Sequence, residues 1–383
     1  MVLISLDGTR WDYPRLAGAR SLLRMASEGG TALRGLVPPF PASTFPAHAT
    51  LATGVHPDRH GIVNNEFLDR GRGLFARDDD ASWLLAEPIW VTAERQGIRS
   101  AVFHWVGSYT PWRGAAASIT MPYSASVPDA VKIDRVIAWL REEGSARPRL
   151  ILAYLHGPDA AGHASGPASP SALEQARRGD LLIGRLLRSI GGLDRRIAVL
   201  AVSDHGMSRA TTAIRLDRLL TGAARGARAV SSGGTSNLYC GSDPVACSAA
   251  ASILERIPGV TVYRRDDLPA DLRCRLTSRT GDLVAIASPG SYFAGGEPRR
   301  GPPPRGMHGY RPDEPEMRGI FYAWGAGIKP GATTDLVRAV DVVPLVCRLL
   351  GIEAPEGIDG RAPEDLLAAI TPARRVAAPD ARP

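Results

Sequence analysis

The chain has 383 residues, more than one ordinary domain holds, so the expectation is one large α/β domain with an insertion, or two domains. Hydrophobic residues make up 44% and charged residues 22%, which excludes a disordered, collagen-like or repeat protein, and no apolar run reaches the ~18 residues of a membrane span. The net charge of +7 is almost wholly arginine, with lysine only at Lys132 and Lys329; this favours small anionic ligands, and without a basic stripe interleaved with aromatics no stable nucleic-acid partner is expected.

An apolar strand, Val2–Leu6, begins directly after Met1. No signal peptide is therefore expected in this sequence ahead of the fold, which leaves a cytoplasmic protein or one whose leader was trimmed or wrongly assigned. Tyr13–Glu28 reads as a helix closed by Gly29-Gly30, and Pro46–Ala52 as another, closed by Gly54 in the left-handed conformation. Further strands are expected at Ser100–Phe103, Leu150–Leu155 and Ile197–Val202, separated by helices at Pro128–Glu142 and Pro170–Ser189. These connections are long enough for parallel crossovers, so the pattern is that of a parallel sheet covered on both faces.

From Arg209 to Pro304 the texture changes, with Gly, Ser and Arg enriched and elements shorter, as at Thr235–Tyr239, Val245–Arg256, Val260–Tyr263 and Leu283–Ala287. Residues 209–304 are expected to form an inserted α/β subdomain between two parts of a catalytic core, 1–208 and 305–369. Ile320–Ala323 and Val340–Leu350 return to that core, and 370–383 reads as a disordered tail. Cys240, Cys247, Cys274 and Cys347 contain no C-x-x-C pair, so buried inert thiols are expected, with a Cys240–Cys247 disulfide open in an oxidising compartment.

Three apolar strands run into an aspartate: Asp7, Asp159 and Asp204. The C-terminal strand ends of a parallel α/β sheet form its ligand crevice, so these carboxylates are expected to face one site, although an aspartate after a strand is by itself commonly a turn former or helix cap. Their company decides between the readings. Asp159 is followed by His163 in Asp-Ala-Ala-Gly-His, Asp204 adjoins His205, and His308 stands between glycines in Gly-Met-His-Gly-Tyr. Carboxylate and imidazole together suit zinc or a similar divalent ion, so two ions are expected. His48, His56, His60, His104 and His156 are read as supporting or structural groups. Thr44 precedes an amphipathic stretch with Pro46 in its first turn. A helix start offers free amides and a positive dipole end, which favour a phosphoryl group or an ionised hydroxyl, so Thr44 is the candidate nucleophile as well as a plain cap.

These motifs resemble the nucleotide pyrophosphatase/phosphodiesterase family of the alkaline phosphatase superfamily. The resemblance runs through Leu3–Gly8, Thr44–His48, Gly54–Asn65, Glu87–Thr92, Pro158–His163, Ser203–Met207, Met307–Tyr310 and Val340–Ile352. It implies a three-layer alkaline-phosphatase-like sandwich around a mostly parallel sheet. It implies one zinc on Asp159, His163 and His308, and another on Asp7, Asp204, His205 and the Thr44 oxygen. By the same resemblance Asn65 and the Phe45 N–H hold a phosphoryl oxygen, Phe45 and Tyr123 sandwich a base, and Tyr154 is a further pocket tyrosine. One departure stands out: where some members carry a phosphate-gripping lysine, this chain has Arg77 followed by Asp78-Asp79-Asp80.

The implied activity is metal-dependent hydrolysis of phosphodiester or pyrophosphate bonds in nucleotide-type small molecules, through a phosphothreonine. A choline-type lipid-head-group phosphodiesterase and a phosphonate hydrolase are the alternatives on the same scaffold. An inactive metal-binding protein is disfavoured because every expected ligand is present, and the resembled family is usually exported.

Overall fold

The structure, a computed structural model, describes residues 1–294 and 302–368. The apolar runs assemble into one eight-stranded sheet. In chain order its strands are β1 (Val2–Leu6), β2 (Gly30–Ala32), β3 (Ser100–Phe103), β4 (Ile119–Met121), β5 (Leu150–Leu155), β6 (Ala198–Val202), β7 (Phe321–Gly325) and β8 (Ala332–Thr334). Across the sheet they lie β8-β2-β7-β6-β1-β5-β3-β4. The neighbours from β6 to β4 are all parallel. Only β7 runs against them, antiparallel to both β6 and β2, while β2 and β8 are parallel.

Side chains alternate with period two, and both faces are covered. Val2, Ile4, Ile151, Ala153, Val199 and Ala201 point to one face, where helices Arg20–Glu28, Asp129–Arg141 and Pro170–Gly191 contribute Leu22, Ile133 and Ile183. Leu3, Leu150, Leu152, Leu200 and Val202 point to the other, against Leu51, Trp90 and Leu345 from helices Thr44–Thr53, Ile89–Arg95 and Val342–Leu350. The result is the expected three-layer α/β sandwich around a mostly parallel sheet. Burying a Val, Leu or Ile side chain is worth about 1.5–3 kcal/mol, so the two apolar layers hold the strand ends in register.

The helix expected over Tyr13–Glu28 is instead two, Tyr13–Ala17 and Arg20–Glu28. Gly18 adopts φ +65 and its N–H closes back on the Arg15 carbonyl, ending the first helix by a left-handed cap. The helix expected from Pro46 starts at Thr44, directly after Ser43, whose hydroxyl makes no capping bond, and ends at Gly54 with φ +70 as expected. Within 209–304 a small antiparallel sheet has the order Arg228–Ser232, Thr235–Tyr239, Leu283–Ala287, Val260–Arg264, covered by helix Pro244–Leu254. Ser208–Arg215 pairs with both Gly290–Ala294 and Gly306–Met307 in a separate three-stranded sheet. Cys240 and Cys247 are bonded, whereas Cys274 and Cys347 are free and buried. The tail 370–383 lies outside the described residues. Among the described residues no helix is long and apolar enough to cross a membrane.

Candidate active site

The ends of β1, β5 and β6 lie side by side, which brings together residues far apart in the chain. Asp7 follows β1, Asp204 and His205 follow β6, and their ligand atoms all lie within 4.8 Å of one another. His205 Nε2 stands 3.5 Å from Asp7 Oδ1 and 3.3 Å from Asp204 Oδ2. Thr44, at the first position of its helix, places Oγ1 3.2 Å from the same nitrogen. Asp159, His163 and His308 form a second group on the same criterion, with His163 Nε2 3.4 Å and His308 Nε2 3.8 Å from Asp159 Oδ1. The groups adjoin: the His205 and His308 rings stack with centroids 3.8 Å apart. All seven residues named from the sequence therefore meet in one place.

Gly8 makes this approach possible. It has φ +64, and a Cβ there would come within 2.9 Å of Asp159 Cα, so a side chain would separate β1 from the start of helix Asp159–Ser165. The Gly8 amide donates to Asp204 Oδ1 at 3.1 Å and ties two strand ends together.

The donor set fits divalent cations. Each of the three histidines turns Nδ1 to a backbone carbonyl: His205 to Gly206 at 2.8 Å, His163 to Gly306 at 2.9 Å and His308 to Ala42 at 3.2 Å. An Nδ1–H donated in this way leaves a lone pair on Nε2, which is the arrangement metal-binding imidazoles use. Asp7 Oδ1, Asp159 Oδ1 and Asp204 Oδ2 are buried without a hydrogen-bond partner. Buried carboxylate oxygens left this way are costly unless a cation meets them. Burial, then the Asp204 and Asp159 charges, pushes the Asp7 carboxyl well above its usual range. Burial, then His205 and His163, pushes His308 well below its own, which keeps the lone pair free.

Around the two groups, Asn65 Oδ1 accepts the Phe45 N–H at 2.9 Å. The Phe45 amide expected to face a phosphoryl oxygen is thus bonded to Asn65 here, and the Asn65 NH2 is what remains for a ligand. Phe45 packs edge-on against Phe75. Tyr123 is half-exposed beside His104, Tyr154 and His156. Tyr154, expected as a pocket tyrosine, donates its hydroxyl to Asp7 Oδ2 at 2.6 Å. Burial and the Asp7 charge push its phenol well up, so it remains a donor. Arg77 lies 3.9 Å from Glu66 at the rim, and its N–H donates to the Asn65 carbonyl.

Several supporting residues have no local signature. Lys132 is fully buried, with Nζ 3.0 Å from both Asp129 Oδ1 and the Tyr154 carbonyl. A lysine on the apolar face of a helix, in a chain with only one other lysine, Lys329, was the available signal. Ser5 Oγ meets His48 Nε2 at 2.9 Å, while His48 Nδ1 meets the Thr44 carbonyl at 2.8 Å. His48 thus anchors the Thr44 helix to β1, the structural role expected of it.

A family model described as type I phosphodiesterase/nucleotide pyrophosphatase matches residues 1–311. Mouse ectonucleotide pyrophosphatase/phosphodiesterase family member 1 is 28% identical over 92% of this chain and 40% of its own length. A Schizosaccharomyces pombe protein named as an uncharacterised pyrophosphatase/phosphodiesterase is 31% identical over 86% of this chain and 72% of its own. The chain thus spans about 40% of the length of the mouse relative. Among solved structures, murine ectonucleotide pyrophosphatase/phosphodiesterase 5, an inactive variant in complex with AMP, superposes with a TM-score of 0.88 at 25% identity, covering 96% of this chain and 99% of that one. The human counterpart gives 0.89 at 26% identity, covering 96% of this chain and 100% of that one. This chain belongs to the type I phosphodiesterase/nucleotide pyrophosphatase family of the alkaline phosphatase superfamily.

Proposed function

We propose that this protein is a metal-dependent phosphodiesterase or nucleotide pyrophosphatase that acts on small nucleotide-type substrates through Thr44. The observation that carries the reading is the Thr44 hydroxyl, at a helix start, set against His205 of one Asp/His group that itself adjoins a second through the stacked His205 and His308 rings. The names of the mouse and yeast relatives and the AMP held by the murine neighbour support it.

Asp7, Asp204, His205 and Thr44 would hold one divalent ion, and Asp159, His163 and His308 the other; nitrogen and carboxylate ligands suit zinc. Bound there, such ions supply positive charge for an ionised Thr44 oxygen and for the departing oxygen. Thr44 Oγ1 attacks phosphorus, and its new P–O bond forms as the bond to the leaving group breaks. The positive end of the Thr44–Thr53 helix helps to stabilise the ionised hydroxyl. The Asn65 NH2 donates to a non-bridging oxygen, and being neutral it suits the single negative charge of a diester better than the two of a monoester. Phe45 and Tyr123 hold the base. Water then attacks the phosphothreonine from the opposite side, the Thr44–phosphorus bond breaks, and a monoester leaves with the hydroxyl restored.

The test is hydrolysis by the zinc-loaded protein of a nitrophenyl ester of thymidine monophosphate, bis-nitrophenyl phosphate, nitrophenyl phosphate, nitrophenyl phosphorylcholine and phosphonoacetate, each with a chelated control. A lead for the thymidine ester that chelation abolishes supports the reading. A lead for the choline ester or phosphonoacetate replaces the nucleotide with a lipid head group or a C–P bond, and no turnover on any of them makes this an inactive member.

A further inference from the structure

His308 arrives on a segment that the small sheet of residues 209–304 grips from outside the site. Strands Arg228–Ser232 and Thr235–Tyr239 form a hairpin that turns at Gly233-Gly234. Gly233 has φ +63, and a Cβ there would lie 2.1 Å from the His308 carbonyl oxygen. The Gly234 N–H donates to that carbonyl at 2.9 Å, and Thr235 Oγ1 donates to the next one, of Gly309, at 2.7 Å. On its other side the same segment meets the residues just ahead of Thr44. The Gly309 N–H donates to the Ala42 carbonyl at 2.7 Å, the Ala42 N–H donates to Tyr310 at 3.1 Å, and the Ala42 carbonyl also takes His308 Nδ1 at 3.2 Å. Thr235, His308 and Ala42 are all buried. The His308 backbone is thus held between the hairpin turn and the entry to the Thr44 helix, with two consecutive carbonyls fixed by the hairpin.

We propose that the Gly233-Gly234 turn and Thr235 are positioning residues for His308, so that the small sheet completes the Asp159/His163/His308 ion site and sets its affinity. The inference rests on reading that trio as an ion site. An imidazole ligand must be held to within about 0.5 Å, and partners one shell out from a metal typically govern 10- to 100-fold in its affinity. Thr235 acts on His308 through the backbone, and the turn leaves no room for a side chain.

The test uses the full chain and zinc, with affinities read by competition against a chelator and stoichiometry by elemental analysis. Thr235→Val keeps the side-chain shape and removes the donor. It is expected to weaken one of two zinc sites about tenfold, to leave the other within twofold, and to be rescued by Thr235→Ser. In a His163→Ala background, where the affected site is already lost, Thr235→Val should not change the remaining zinc affinity. Gly233→Ala should hold one zinc where the wild type holds two; if it does not fold, the Thr235 series still decides. Unchanged affinities at both sites, equal weakening of both, or a further loss in the His163→Ala background would overturn the proposal. A wild-type chain without zinc at either group would remove the ion-site reading itself, an outcome separate from the others.

Discussion

Replacing Tyr154 with phenylalanine removes one oxygen and leaves the ring in place. That oxygen donates to Asp7 Oδ2 at 2.6 Å, the length of a charge-assisted O–H···O⁻ bond. Lys132 contacts Tyr154 through the backbone carbonyl and is untouched by the change. A hydrogen bond to a charged group contributes about 1.5–3 kcal/mol, which corresponds to roughly 10- to 100-fold in an equilibrium constant. Tyr154→Phe is therefore expected to weaken zinc at the Asp7/Asp204/His205 group by that factor, leaving the Asp159/His163/His308 group within twofold. The assay is chelator competition with both constants resolved, alongside kcat and KM at saturating zinc. If Tyr154 serves only as a wall of the nucleotide pocket, KM rises while both zinc constants stay put, and that result would refute the reasoning.

Thr44→Ala should keep both zinc ions, because Asp7, Asp204 and His205 remain in mutual reach, yet lose at least a thousandfold in turnover; most of the activity surviving would remove Thr44 as the nucleophile. His60 is buried, with Thr50 Oγ1 2.9 Å from its Nε2 and the Ile62 N–H donating to Nδ1 at 3.1 Å, and burial lowers its pKa to about 3. A histidine depressed on folding stabilises above its unfolded pKa near 6.5, and that contribution is lost as pH falls toward the folded value. Urea unfolding should show about 2 kcal/mol less loss between pH 7 and pH 5 in His60→Gln than in the wild type; equal losses would mean His60 is not held neutral. Arg279 is buried, pairs with Asp69 at 2.8 Å and donates to the Gly61 and Trp83 carbonyls. Removing one partner of a buried pair costs about 3–5 kcal/mol. Arg279→Ala should fall at the lower end in a denaturant titration, since Asp69 keeps the Gly71 and Arg72 amides; a cost under 1 kcal/mol would contradict the pairing.

The aspartates were legible from the sequence because each follows an apolar strand within a few residues, and parallel strands deliver their C-terminal ends to one crevice. His163 and His205 were legible by their spacing from those aspartates, His308 by its flanking glycines, and the Thr44 helix by Pro46 in its first turn and Gly54 at its end. What stayed hidden was long-range or carried by groups without a side-chain identity. The carbonyls of Ala42, Gly206 and Gly306 orient the three imidazoles, and any residue has a carbonyl. Ser5 and His48 are unremarkable until β1 and the Thr44 helix are packed together. Tyr154 was read as a pocket wall because nothing local shows that its hydroxyl reaches Asp7. The reversal of β7 was equally unreadable, since strand direction depends on the path of the chain between strands.

The segment that begins after Asp204 and His205 and returns at His308 is closed at its neck. Ser208 pairs with Met307 and Arg209 with Gly306, so roughly a hundred residues leave and re-enter the core through neighbouring positions. Loop-closure entropy grows only with the logarithm of length, so what lies beyond the neck can lengthen or shorten at small thermodynamic expense while Asp204, His205 and His308 on either side stay adjacent. The region is therefore suited to be exchanged as a cassette in evolution or by graft, provided the replacement offers His308 and Gly309 carbonyl partners of its own and a substitute for the buried bonds that Arg279 makes to Asp69, Gly61 and Trp83.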